Sequence, residues 1–224
     1  MSGAFVHDVG RPARLGFGEA IFAGAKSLAQ LVAILDECVA EGHSLLLTRL
    51  DAERFAALPA RLRERLDHDA PSATAFLGAP APLIGPARVA VVTAGTSDLG
   101  VAQEAARTLR FHGEASLVLA DLGVAGLWRI EARTEELRRF PVVIVVAGMD
   151  AALISVVGGL VPGLVIGVPT SIGYGVATGG RAALAAALAS CAPGVVCVNI
   201  DNGYGAACAA LRALGAMPNQ GERP

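Results

Sequence analysis

From residue 87 onward the chain alternates two hydrophobic rhythms. Short β-branched runs, "ARVAVV", "ASLVLA", "VVIVVA", "LVIGV" and "VVCVNI", are separated by longer stretches with helical spacing. Those stretches are "LGVAQEAARTLRFHG", "GLWRIEARTEELRRF", "DAALISVVGGL", "GGRAALAAALAS" and "YGAACAALRALG". Continuously apolar strands are buried on both faces, which requires helices on each side of the sheet. The pattern predicts an α/β fold: a doubly wound parallel sheet of about five strands with right-handed crossovers.

The first 85 residues read as a separate, smaller α/β domain. "EAIFA" and "HSLLLTRL" have strand character, as does "ATAFLGA". "SLAQLVAILDECVAEG" places Leu28, Leu31, Val32, Leu35 and Val39 on one helical face, with Ser27 as N-cap and Gly42 as stop. "DAERFAALPARLRERL" reads as a second helix, broken or kinked at Pro59. The proline-rich "APAPLIGP", residues 79–86, reads as a linker. The expected domains are therefore 1–85, linker included, and 86–224.

Composition narrows the chemistry. Of 224 residues 54% are hydrophobic, so a sizeable core is available. Eighteen basic and 20 acidic residues give a net charge of −2, which offers no electrostatic grip on nucleic acid or an anionic membrane. Cys38, Cys191, Cys197 and Cys208 lack CxxC spacing, and His7, His43, His68 and His112 are scattered, so no zinc pattern emerges. Free thiols and a first segment without an apolar run fit a cytoplasmic protein. The most membrane-like stretch, residues 141–169, carries Asp150 in its middle and is interrupted by Gly158, Gly159, Pro162 and Gly163. A buried aspartate in a span costs several kcal/mol, so strand–helix–strand is the reading taken.

In open α/β sheets ligands sit beyond the carboxyl ends of the strands. The five segments there are rich in glycine, hydroxyls and carboxylates. "TAGTSDLG" supplies Thr93, Ala94, Gly95, Thr96, Ser97 and Asp98 at a helix start. Small residues there let backbone N–H groups approach a phosphate or carboxylate, and the same residues serve equally as N-caps. No GK[ST] follows, and "AGAKS" (23–27) has Ala25 where a Walker loop needs glycine. "DLGVAG" supplies Asp121, and "GMDAA" supplies Gly148, Met149 and Asp150. "PTSIGYG" supplies Thr170, Ser171, Gly173, Tyr174 and Gly175, and "DNGYG" supplies Asp201 and Asn202. Asp150 either complements a helix dipole or, beside an apolar strand end, acts as a base. Such carboxylates, together with a diphosphate, could hold Mg²⁺. Cys191 ends an alanine-rich helix, where the macrodipole opposes a thiolate; taken alone it reads as a packed thiol, like Cys197 and Cys208. The arginines of "RIEARTEELRR" read as a solvated helix face, with Trp128 in packing or a subunit contact.

Taken in order, "VVTAGTSDLGVAQEAA", "DLGVAGLWRI", "VVAGMDAALISVVGGL", "VIGVPTSIGYG" and "ASCAPGVVCVNIDNGYGAACAA" resemble the LarB family, as do "GFGEAIFAGAKS", which contains the only lysine, Lys26, and "LLLTRLDAERF". The second domain in turn resembles PurE, the aminoimidazole ribonucleotide carboxylase/mutase. The resemblance implies carboxylation of C5 of the pyridinium ring of nicotinic acid adenine dinucleotide by CO₂ or bicarbonate. It also implies hydrolysis of the phosphoanhydride. The products are pyridinium-3,5-biscarboxylic acid mononucleotide and AMP, the first step of nickel-pincer nucleotide synthesis. It further implies Mg²⁺, no tightly bound organic cofactor, and an octamer. By the same resemblance Cys191 is the nucleophile that adds to C4, and Ser97 and Asp121 lie near the reacting ring and CO₂. "TAGTS" and "TSIGYG" hold the phosphates and the nicotinate carboxylate. The family places Glu where this chain has Asp150, the expected base; one methylene less shortens its reach by roughly 1.5 Å. Two other readings remain. A PurE-like mutase needs a histidine after the third strand of the second domain, where "MDAAL" stands. A non-catalytic nucleotide-binding module would leave Cys191 merely packed.

Overall fold

The computed structural model describes residues 6–217. It divides into two compact units: the chain up to Pro82 with Phe111–Gly113, and Leu83–Arg110 with the chain from Glu114 onward.

In the first unit, α1 (Arg11–Leu15) precedes β1 (Ala20–Phe22), α2 (Leu28–Glu41) and β2 (Leu45–Thr48). Ser27 caps α2 through a reciprocal capping box with Gln30, and Gly42 ends it in the left-handed conformation. Pro59 divides the next helical stretch into α3 (Ala52–Ala57) and α4 (Ala60–Arg63). β3 (Leu66–Asp69) and β4 (Thr74–Leu77) follow. The sheet runs β1-β2-β4-β3, with β1 parallel to β2 and the other pairs antiparallel. Leu31, Leu35, Leu45, Leu47 and Leu62 fill its core. β3 is the strand that sequence reading missed. "LDHD" buries only Leu66 and is otherwise polar, so it carries no hydrophobic alternation.

The second unit contains β5 (Val89–Thr93), α5 (Leu99–Phe111) and β6 (Ser116–Leu119). The expected second helix is two short ones, α6 (Leu127–Glu131) and α7 (Thr134–Leu137). Next come β7 (Val142–Ala147), α8 (Ala152–Leu160), β8 (Leu164–Pro169) and α9 (Arg181–Leu188). β9 (Val196–Cys197) and α10 (Gly203–Ala216) complete it. The five strands are all parallel, in the order β6-β5-β7-β8-β9. Alternate residues of β5 and β7 face opposite cores. Val92, Val143 and Val145 pack with α8 and α9 residues such as Ile154 and Ala183. Val91, Ile144 and Val146 pack with α5 and α10 residues such as Leu109 and Ala207. The sheet is therefore doubly wound, and every residue of β7 is buried. The strand order reverses between β5 and β7, which is where this topology opens a ligand crevice. Among the described residues no helix is long and apolar enough to cross a membrane.

Candidate active site

The crevice is present. A cavity of about 340 Å³ lies beyond the carboxyl ends of β5, β6 and β7, within the size range of small-molecule sites. Its wall includes Gly95, Ser97, Asp98, Arg129, Met149 and Asp150. Sequence-singled residues Ala94 and Gly148 also line it.

Asp98 organises the crevice. It is 3% exposed. Its carboxylate accepts the Gly95 N–H at 2.9 Å and the Thr170 hydroxyl at 2.7 Å, and also the Gly148 N–H. It thus joins the loops after β5, β7 and β8. Burial pushes its pKa up, and nearby Asp201 adds to that, while the three hydrogen bonds act in the opposite direction. Thr93 is buried behind this loop, and its hydroxyl accepts the Asp121 N–H at 3.1 Å. Asp201 accepts the Ser171 N–H at 2.7 Å, and Asn202 caps α10 by accepting from Gly205.

The loops are tight and conformationally strained. Asp121, Met149, Ala151 and Asp201, at the carboxyl ends of β6, β7 and β9, all adopt positive φ of 50–59°. Such geometry costs L-residues energy and concentrates at functional sites. Gly148 is required for close approach: a Cβ there would lie 2.7 Å from Thr170 Oγ1. Asp150 is exposed, and its Oδ1 accepts the Ala152 N–H at 3.2 Å at the start of α8. Ser97 and Thr96 are exposed at the opposite lip.

Arg129 corrects the sequence reading. Instead of standing on a solvated helix face, its guanidinium lines the cavity. It meets Asp121 at 2.6 Å and donates to the Gly123 carbonyl at 3.3 Å. Arg129 lies in the first turn of α6, directly after the loop that carries Asp121 and Gly123, and that placement, invisible in the sequence, brings its guanidinium to the cavity. The loop after β8 contributes Ile172 to the cavity, while Tyr174, 77% exposed, and Gly173 and Gly175 lie outside the lining.

Cys191 is not at this crevice within one chain. α9 ends at Leu188, so Cys191 lies in the turn that leads into β9, and it is exposed. Its neighbours fix its place. Ser190 accepts a hydrogen bond from Ser155 of α8 at 2.7 Å, and Ala192 packs beside Gly158. Residues 193–195 line a small cleft with the turn that precedes β8. That is the amino-terminal edge of the sheet. Cys191 is absent from the crevice lining, and the residues beside it pack on Ser155 and Gly158 of α8, five and eight residues after Asp150.

Asp121 is paired with Arg129, Asp201 with the Ser171 N–H, and Asp150 caps a helix. Among the described residues no group of three His, Cys, Asp or Glu side chains could hold a metal ion.

Comparison with known proteins agrees with this architecture. Residues 2–77 match a LarB/PurE-like N-terminal domain, and residues 88–222 match the AIR carboxylase model. The chain belongs to the AIR carboxylase family. The two matches in tandem make it, more particularly, a LarB-type member with a PurE-like second domain, placed among PurE-related carboxylase-type proteins. It is 45% identical over 121 residues to an uncharacterized protein of Methanocaldococcus jannaschii, covering 53% of this chain and 46% of that protein. The chain thus spans about half the length of that relative. A solved PurE2 variant from Treponema denticola aligns with 58% of this chain and 80% of its own, at 22% identity and a TM-score of 0.48.

Proposed function

We propose that the protein carboxylates C5 of the pyridinium ring of nicotinic acid adenine dinucleotide and hydrolyses its phosphoanhydride, releasing AMP and pyridinium-3,5-biscarboxylic acid mononucleotide. The observation that carries this reading is the switch-point cavity. It brings an arginine, an exposed carboxylate and a small-residue loop to one place inside a LarB-type chain.

A pyridinium ring is electron-poor and does not attack CO₂. Addition of the Cys191 thiolate to C4 forms an S–C4 bond and moves a ring electron pair to nitrogen, giving a neutral dihydropyridine. Its C5 is then an enamine carbon. C5 attacks CO₂, which becomes the new carboxylate, and the ring nitrogen becomes an iminium. Asp150 takes the C5 proton; the C–H electron pair restores the enamine, and expulsion of the thiolate restores the aromatic ring. Arg129 offers a planar donor pair for the ring carboxylate, the new carboxylate or CO₂. Gly95 and Thr96 face the phosphates, and Ser97 the reacting ring.

This chemistry needs Cys191 beside the crevice, so the thiol comes from a second copy of the chain. Exposed apolar residues mark both surfaces such a contact would use. Ile172, Tyr174 and Val176 follow β8 at the crevice edge, and Leu188 and Val196 flank Cys191 at the other. A head-to-tail contact between unlike surfaces closes into rings, in keeping with the octamer expected of PurE-like domains.

The test is product formation from the dinucleotide and bicarbonate, with AMP release followed in parallel. Cys191→Ala should abolish the biscarboxylate product while leaving the fold intact. Normal product formation by that variant would overturn the mechanism.

A further inference from the structure

A second cavity, of about 390 Å³, lies entirely within the first unit. Lys26, the chain's only lysine, and Arg54 stand in its wall, both half-buried. Neither cation makes an ion pair among the described residues. Arg54 uses one nitrogen, Nη1, to hold the carbonyls of Ala23 and Lys26 at 3.2 and 2.7 Å. That clamp fixes the segment that carries Lys26, and leaves the rest of the guanidinium fork for a ligand. The start of α2 is already closed by its capping box, so the anion-binding capacity lies in the two side chains.

The rest of the wall narrows the ligand. Leu28, 42% exposed, and buried Leu31 give an apolar floor. Two carboxylates complete the lining. Asp51 is turned to its own helix, accepting the Arg54 N–H at 2.7 Å, and Glu53 is exposed. A bare anion would meet two cations and two carboxylates with no net charge in its favour. A ligand with an anionic end and hydroxyl donors would use both sets. We propose that this cavity binds a sugar phosphate, with the phosphate on Lys26 and Arg54 and the sugar hydroxyls toward Glu53. This site does not rest on the catalytic reading above.

The lone lysine gives a direct test. Reductive ¹³C-methylation keeps the charge and labels only Lys26 and the terminal amine; Lys26→Met identifies the Lys26 signal by removing it. Titrating the full chain with ribose 5-phosphate or AMP should shift that signal saturably, with an apparent affinity of about 1 mM or tighter. Adenosine should leave it unmoved, and inorganic phosphate should require at least about tenfold higher concentration. Glu53→Gln should weaken ribose 5-phosphate by about threefold or more and should not weaken inorganic phosphate, which loses a repelling carboxylate. The absence of a saturable shift overturns the site. So does an equal response to inorganic phosphate and ribose 5-phosphate, which would mark an adventitious ion only.

Discussion

Asp98 holds together three loops that are distant in sequence, and its partners show what its loss would cost. Asp98→Ala would leave the buried Thr170 hydroxyl and the N–H groups of Gly95 and Gly148 without their acceptor. A stability loss of about 2–3 kcal/mol is expected in denaturant unfolding, with Thr170→Val costing less because it removes a donor and leaves the carboxylate two others. "TAGTSD" was legible as a ligand or capping loop, but the bond from Asp98 to Thr170, 72 residues away, was not. Nothing local marks a pair that only the parallel register of β5, β7 and β8 brings together. The thiols divide just as sharply. Cys38 is buried, and burial next to Glu37 and Glu41 pushes its pKa up to about 11. Cys191 is exposed. Limited alkylation at pH 8 followed by peptide mass spectrometry should therefore modify Cys191 well before Cys38, because the reagent needs an accessible thiolate. Equal labelling would contradict the placement of both. Reading Cys191 as packed from its alanine-rich surroundings failed for a physical reason: the helix stops three residues before it.

At the scale of elements, the strands of the second unit were readable because burial on both faces leaves an unbroken β-branched run, as in "VVIVVA". β9 was only half readable. It is an edge strand with two paired residues, so its apolar run "VVCVNI" overstates it. β3 was invisible for the reverse reason, since its polar residues are tolerated on an edge. The first unit also carries an acid sensitivity. His112 is packed near Phe17 and Phe111, its Nε2 without a hydrogen-bond partner, and burial pushes its pKa down from 6.5 to about 4. The folded form therefore binds fewer protons than the unfolded chain between these values. Stability from this group is fully present above pH 6.5 and is lost as pH falls toward 4, by about 3 kcal/mol at most. Chemical denaturation of the wild type should show that decline, and His112→Phe should flatten it. An identical pH profile in the two proteins would exclude His112 as its source.

At the scale of the whole molecule, the separation of Cys191 from the crevice turns a question of mechanism into one of assembly. Cys191 stands in the turn that enters β9, whereas Asp150 follows β7 at the carboxyl-terminal edge. If carboxylation uses both the thiol and Asp150, each working site joins the amino-terminal edge of one copy to the carboxyl-terminal edge of another. Two inactive variants then carry complementary halves. Cys191→Ser and Asp150→Asn should each be inactive alone. Mixed under conditions that let subunits exchange, they should recover up to about one quarter of wild-type activity, since random pairing gives each interface both intact partners in that fraction. The recovery should follow subunit exchange in time and vanish when exchange is blocked by crosslinking before mixing. Persistent inactivity of a mixture shown to contain hybrid oligomers would mean that no site draws Cys191 and Asp150 from two different copies, and would overturn the shared-site assembly.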